Sequence, residues 1–419
     1  MAQVRYGLGQ PPPLSDQGVA IIRATNISRG RITEANMLRA AIDDLPLDRA
    51  PLLAEGEILV VRSGAYTGDS ARVSSDWVGS APGYDMRVTP RAIESRYLAY
   101  SLLGNSALDQ MTLASTRAAQ PHLNAEELGE VELWVPALEE QRRIADFLNT
   151  ETARIDRLMA RRQAQGKRLD ERAYASVSEI LVPGILSSPL TQWPWTWLPE
   201  MTSDRPLVRL GYVCKLQNGL TVDGKRDVSG DVVTRPYLRV ANVQAGRVDL
   251  GTVNEITVPR DIAERSTLRP GDVLMTEGGD LDKLGRGTVW QGELPGCLHQ
   301  NHVFALRPAP DRLDGDYLAL MTRTLHGRCY FESTGTKTTN LASTNSSKIL
   351  SFPIPLPDVA VQRELAQRAQ QALDSIENAS QLLDRQLRLL QERRQALITA
   401  AVTGQFDVST ASGRGVDSP

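Results

Sequence analysis

PALEEQRRIADFLNTETARIDRLMARRQAQGKRLDERAYASVSEILVPG, residues 136–184, returns in altered form as PDVAVQRELAQRAQQALDSIENASQLLDRQLRLLQERRQALITAAVTG, residues 357–404. Pro136 and Pro357 each precede a glutamine by five positions, Gln141 and Gln362. Arg142 aligns with Arg363, Ala145 with Ala366, Ile155 with Ile376, Leu169 with Leu390 and Arg172 with Arg393, all at one offset. A constant internal offset marks a duplicated architecture. Each stretch reads as about 40 residues of helix, so about 60 Å long. In the second copy Ala369, Ile376, Leu383, Leu390 and Leu397 form a seven-residue row. Leu373, Ser380, Leu387, Arg394 and Ala401 run beside it, approximating a coiled-coil seam. The corresponding rows of the first copy include Arg162, Gly166 and Ser176 and are less apolar. Gly166 weakens that helix by about 1 kcal/mol. A seam of this length needs a partner, either the helix's own globular domain or the other long helix, and the duplication favours the second, in antiparallel sense.

Outward from each helix lies a mixed domain. In residues 1–135, VAIIRATNI (19–27), GEILVVRSG (56–64) and YDMRVTP (84–90) read as strands, and SRYLAYSLLGN (95–105) as a helix stopped at Gly104. VELWVP (131–136) reads as a short strand leading into the long helix. The same order recurs as PYLRVANVQAGRV (236–248), GDVLM (271–275), NHVFALRP (301–308), DYLALM (316–321) and FPIPLP (352–357). Arg23 aligns with Arg239, Asn26 with Asn242, Gly30 with Gly246 and Arg31 with Arg247, and their recurrence favours a structural role. The Trp-rich opening of the second domain (191–220) has no counterpart before Tyr6-Gly7-Leu8, so the first domain reads as lacking its opening segment. The expected class is α+β, two similar mixed α/β domains separated by two long helices in a pseudo-two-fold repeat. The expected boundaries are a first domain 1–138, helix 139–184, second domain 185–357, helix 358–404 and a disordered tail 405–419.

Composition bounds the function. Hydrophobic residues make up 41% and charged residues 23%, as in an ordinary soluble protein. There is no apolar run of membrane-spanning length and no apolar signal core at the N-terminus. Cys214, Cys297 and Cys329 are scattered and odd in number, which fits a reducing cytoplasm. Cys297, His299 and His302 lack a fourth ligand at metal-site spacing. The net charge of −3 means that any affinity for nucleic acid must come from charges placed by the fold or shared with a partner. No phosphate-binding loop, dinucleotide fingerprint, methyltransferase Pro-Pro-aromatic run or nuclease carboxylate cluster is present.

Two variable domains, each closed by a strand ending in proline, then x4-Gln-Arg, then a long helix, resemble the specificity subunits of type I restriction-modification systems. IRATNISRGRI, GEILVVRSG, VPALEEQRRIADFL, YLRVANVQAGRV, GDVLMTEGG and PLPDVAVQRELAQRA carry the resemblance, which covers nearly all of 1–404. Val361 precedes Gln362 where the family usually has an acid, as Glu140 precedes Gln141. The resemblance implies a non-catalytic DNA reader. Each domain would be a target-recognition domain for half of a bipartite, asymmetric site in double-stranded DNA. The helices would set the spacer and dock two methyltransferase subunits, with motor-nuclease subunits joining for restriction. S-adenosylmethionine, ATP and Mg would sit on those partners and no cofactor on this chain. The competing reading is a coiled-coil adaptor with two globular ends.

Base edges are read by paired donors and acceptors, and phosphates by cations, hydroxyls and bare amides. Polar loops at matching places supply these groups. In the first domain they offer Tyr6 and Gln10, then Arg62, Ser63, Tyr66 and Thr67, then Thr116, Arg117, Gln120 and His122. In the second they offer Lys225, then Lys283 and Arg286 in the loop that begins at Glu277, then Gln300 and Asn301, then Thr336, Lys337, Thr338 and Asn340.

Overall fold

The computed structural model describes residues 1–115, 121–186, 207–221, 230–244, 246–279, 284–337 and 342–408. The chain divides into two compact units, residues 1–163 with 384–419 and residues 164–383.

The first unit is built on GEILVV. Gly56 turns at φ +86°, a conformation that a Cβ resists, and Ile58, Leu59 and Val60 follow with no exposure. Three successive buried residues require a strand covered on both faces. Ile58 and Val60 face a cluster with Tyr97, Leu98 and Ile144, while Leu59 faces Ile22, Ile27 and Leu53 on the other side. The strand lies inside an antiparallel sheet ordered Ala2–Tyr6, Met86–Pro90, Ile58–Val60, Ser70–Arg72. A smaller sheet sets Val19–Ile22 antiparallel to Leu38–Ala40 and parallel to Ala81–Pro82.

The second unit repeats this topology. Its sheet is ordered Cys214–Asn218, Val303–Pro308, Val273–Thr276, Gly287–Val289. Val232–Leu238 lies antiparallel to Asn254–Pro259 and parallel to Leu298–His299. Gly271 turns at φ +89°, and Leu274 faces away from the cluster that holds Val273 and Met275.

Buried polar side chains fasten both units in the same way. Asn26 Oδ1 accepts the Arg23 N–H, and Nδ2 donates to the Thr33 and Ala35 carbonyls. Asn242 does the same with Arg239, Asp249 and Thr252. Each asparagine thereby closes the loop around the hairpins Ile27–Ser28/Arg31–Ile32 and Val243–Gln244/Arg247–Val248. Gln141 Oε1 accepts the Glu94 N–H at 2.9 Å, and Nε2 donates to the Pro136 carbonyl. Gln362 accepts from Asp314 N–H at 2.9 Å and donates to the Pro357 and Arg312 carbonyls. Glu94 and Asp314 themselves cap the helices Ser95–Leu103 and Gly315–Met321. The x4-Gln signature is thus a bolt between the start of each long helix and the domain before it. An amide buried without such partners would cost about 1–3 kcal/mol.

The long helices are Leu138–Leu181 and Val359–Val402, and each contributes to both units. In the first unit Ile144, Ala145 and Leu148 share a cluster with Ile398, Ala401 and Val402. Phe147 meets Phe406 there, and Asp156 lies 3.2 Å from Arg394, so rising numbers on one helix meet falling numbers on the other. In the second unit Val177 and Leu181 share a cluster with Leu365, Ala366, Ala369 and Leu373. The seam rows of the second helix point inward: Ala369, Leu373, Leu383 and Ala401 are buried and the rest half-buried.

Two expectations need correction. VELWVP forms no strand, whereas Pro353–Pro355 pairs with Leu207–Arg209. A strand needs a neighbour, and among the described residues of the first unit none pairs with 131–136 as Leu207–Arg209 pairs with Pro353–Pro355. The tail expected to be disordered from 405 packs for its first residues. Phe406 contacts Phe147, and Val408 is buried because these apolar side chains land on the first unit's core. Gly104 stops the helix Ser95–Leu103 as expected, and a separate helix, Asn105–Ser115, follows at once. Among the described residues no helix is long and apolar enough to cross a membrane.

Candidate nucleic-acid interface

Polar residues around Tyr6, Arg62, Tyr84 and His122 meet at one end of the first unit's antiparallel sheet. Tyr6 closes the strand Ala2–Tyr6, opposite Met86. Gly7 then lets the chain pass against the segment after Pro82: a Cβ on Gly7 would lie 2.1 Å from the Gly83 carbonyl oxygen. Leu8 N–H donates to that carbonyl. Arg62, two residues past Val60, enters the gap from below. Its guanidinium lies 4.5 Å from the Tyr6 ring centroid and 4.4 Å from that of Tyr84. Both tyrosines are about half exposed, Tyr6 at 45% and Tyr84 at 50%. The Tyr6 hydroxyl is pinned by the Ala125 N–H.

The same arginine is tied to the last loop. Arg62 Nη2 donates to His122 Nε2 at 3.1 Å, Leu123 N–H donates to the Arg62 carbonyl, and Ser63 bridges His122. Thr67 Oγ1 donates to the Gly64 carbonyl at 2.7 Å, closing the Arg62–Gly68 loop on itself. Tyr66 stands outward at its tip, 57% exposed. Beneath the cluster the buried Asp85 accepts the Arg62 N–H, and burial pushes its carboxyl up to about 6.

The second unit builds the same place from other residues. Met275 pairs Phe304 as Val60 pairs Met86, which puts Glu277 where Arg62 stands and His302 where Tyr84 stands. Asn218 occupies the position of Tyr6, opposite Phe304. Gly219 repeats the close approach, with a Cβ 2.1 Å from the Gln300 carbonyl oxygen. Glu277 Oε2 accepts from His302 Nδ1 at 2.5 Å. The bridge at Ser63 becomes a small sheet in which Gly278–Gly279 pairs Ala342–Ser343, which pairs Thr336–Lys337. Thr336 Oγ1 accepts from Lys348 Nζ, and Lys337 is exposed beside it.

The expected reading residues therefore divide. Tyr6, Arg62, Ser63, Thr67 and His122 come together, with Tyr66 at the rim. Gln10 is exposed beyond the buried Leu8, apart from the stack. Gln300 and Asn301 are half-buried, and their backbones tie the crossing chain to Leu238 and Leu220. Arg286 lines a cavity with Tyr174, Asp374 and Glu377 of the long helices, so it belongs to their side of the unit rather than to the Glu277 loop. Thr116, Arg117, Gln120, Lys225, Lys283, Thr338 and Asn340 lie outside the described residues. Tyr84 is not among the expected readers, and Glu277 and His302 lie in the expected polar loops without being singled out as readers. The register of GEILVVR against GDVLMTE already aligned Arg62 with Glu277, and that signal was available. His299 is a core residue: its Nδ1 donates to the Val303 carbonyl at 2.7 Å, and burial holds its pKa below the ordinary histidine value. Among the described residues no group of three or more His, Cys, Asp or Glu could hold a metal ion.

A sheet end that gathers a stacked arginine, aromatic rings, a histidine and a hydroxyl-bearing loop is suited to planar, hydrogen-bonding ligands. Residues 16–165 match the family model of the type I restriction modification DNA specificity domain. The chain is 22% identical over 401 residues to the type I restriction enzyme EcoKI specificity subunit of Escherichia coli K12, covering 94% of this chain and 83% of that one. It is 21% identical over 405 residues to the StySPI specificity subunit of Salmonella potsdam, with the same coverage. Its fold is shared by a solved chain described under the complex assembly and conformational transition of the type I R-M system. The TM-score is 0.70 at 18% identity, over 96% of this chain and 98% of that one. On the duplicated fold, the matched domain and the near-full-length relatives, the chain is similar to the specificity subunits of type I restriction-modification systems.

Proposed function

We propose that the chain is the DNA-reading, non-catalytic subunit of a type I complex, in which residues 1–138 and 185–357 each read one half of a bipartite site in double-stranded DNA. The stretches 139–184 and 358–404 fix the distance between the half-sites and dock two methyltransferase subunits, with motor-nuclease subunits joining for restriction. S-adenosylmethionine, ATP and Mg belong to those partners, and the complex works in the cytoplasm. One observation carries the reading. An identical frame presents, at the same sheet end, Tyr6, Arg62, Tyr84 and His122 in one unit and Asn218, Glu277 and His302 in the other. A common scaffold with different polar tips is what two readers of two different sequences need, because phosphate contacts are alike everywhere while base edges are not. The test is methylome sequencing of a host that expresses the chain with its modification subunit. The expected result is an adenine-methylated motif of two unlike halves separated by unspecified bases. A host left unmethylated while the complex assembles would overturn the reading.

A further inference from the structure

Arg62 is placed as few surface arginines are. Two rings fix the plane of its guanidinium, His122 takes a hydrogen bond from Nη2, and the backbone N–H is held by Asp85. Nε is buried without a hydrogen-bond partner, and among the described residues Nη1 has none either. This is a rigid fork, its Nε buried and its outer end open to solvent, with unused donors in one plane. Phosphate recognition needs no such rigidity. A planar acceptor pair does, since stacking leaves only in-plane approach to the donors. Guanine offers such a pair, O6 and N7, at its major-groove edge.

The second unit reverses the sign at the same point. Glu277 carries only acceptors, and His302 holds one of its oxygens. With the side chain 37% exposed, the other oxygen can take an amino hydrogen, as cytosine N4 supplies.

We propose that the residue two positions beyond Val60 in one unit and Met275 in the other is the base-selecting position of each, with Arg62 reading a guanine in one half-site and Glu277 a cytosine amino group in the other. The proposal rests on the DNA-reading function above, and its test separates the two. The complex of the full chain with its modification subunit is first used to define the methylated motif. Motifs are then determined for Arg62→Ala, Arg62→Lys and Glu277→Gln. One G in one half-site becomes degenerate in both arginine variants, since lysine keeps the charge but not the fork. Glu277→Gln relaxes one position of the other half-site only. Independently of any variant, replacing that G by 7-deazaguanine weakens binding of the unaltered complex roughly 10- to 100-fold, by removing the N7 acceptor. An Arg62→Lys motif identical to the parent, or equal weakening on all sequences, overturns the proposal in favour of a phosphate contact and leaves the DNA-reading function standing. The absence of any methylated motif in the parent complex overturns both.

Discussion

The two units are alike where they are buried and unlike where they are exposed. Asn26 and Asn242, Gln141 and Gln362, and Tyr97 and Tyr317 make matching hydrogen bonds. The tyrosine hydroxyls reach the carbonyls of Trp134 and Pro355. Glu57 and Asp272 hold one place under the sheet: each accepts a backbone N–H from three residues earlier and pairs with an arginine of the neighbouring strand. The arginine itself has moved, from Arg87 to Arg307, two residues along the same face. At the sheet end the side chains differ, while the glycines Gly7 and Gly219 persist. The frame is thus specified by buried polar bolts, and recognition by what stands at its exposed end.

That contrast can be broken by experiment. The largest effects belong to the buried acids. Glu57→Ala strands Arg87, and Asp272→Ala strands Arg307, at a cost of about 3–5 kcal/mol each in denaturant unfolding. A loss confined to one of them would mean the frames are not equivalent. Burial raises the Glu57 carboxyl, but its bonds with Arg87, Ala54 and Thr89 outweigh that and bring it below the ordinary value. Its contribution is therefore present above the ordinary glutamate range and lost on acidification. Next come Gln141→Ala and Gln362→Ala, each expected to cost about 1–3 kcal/mol by leaving buried backbone groups unpaired. Near-equal losses would sharpen the comparison, and a silent Gln362→Ala would break it.

A third difference is confined to the second unit. His326 is buried against Phe352 with Nε2 on the Pro353 carbonyl, and burial pushes its pKa down to about 4. The unfolded chain takes up that proton first, so stability is complete above about pH 6.5 and falls as pH drops toward 4. The loss between pH 7 and 5 is about 2 kcal/mol. His326→Asn should flatten that slope, measured by unfolding at both pH values, and an unchanged slope would remove His326 from the account. The smallest effect concerns the helices. A Cβ on Gly166 would meet nothing within 4 Å, so Gly166→Ala should raise stability by about 1 kcal/mol and bring the first helix nearer the second. A drop in melting temperature would show that the glycine is needed where it stands.

The repeat, the long helices and the inner strands were legible because they are written in local apolar periodicity. VELWVP misled because the same six-residue pattern becomes a strand only beside a partner, and among the described residues of the first unit none pairs with it. Arg62 was legible as a candidate, but its stack was not. Tyr6, Tyr84 and His122 are brought to it by strand pairing across long stretches of chain, and no local pattern records that. Glu277 is legible only as the start of a polar loop, and its correspondence with Arg62 emerges when the two strands are matched. Asn26 and Asn242 were read correctly as structural from their recurrence alone.

The close approach at Gly7 and Gly219 has an evolutionary meaning. A side chain at either would collide with a carbonyl at 2.1 Å, so these positions have almost no freedom. Their neighbours Tyr6 and Asn218, and the facing Arg62 and Glu277, support little of the core and can be exchanged at small cost in stability. A protein arranged in this way can acquire a new vocabulary by a handful of substitutions while its grammar stays fixed.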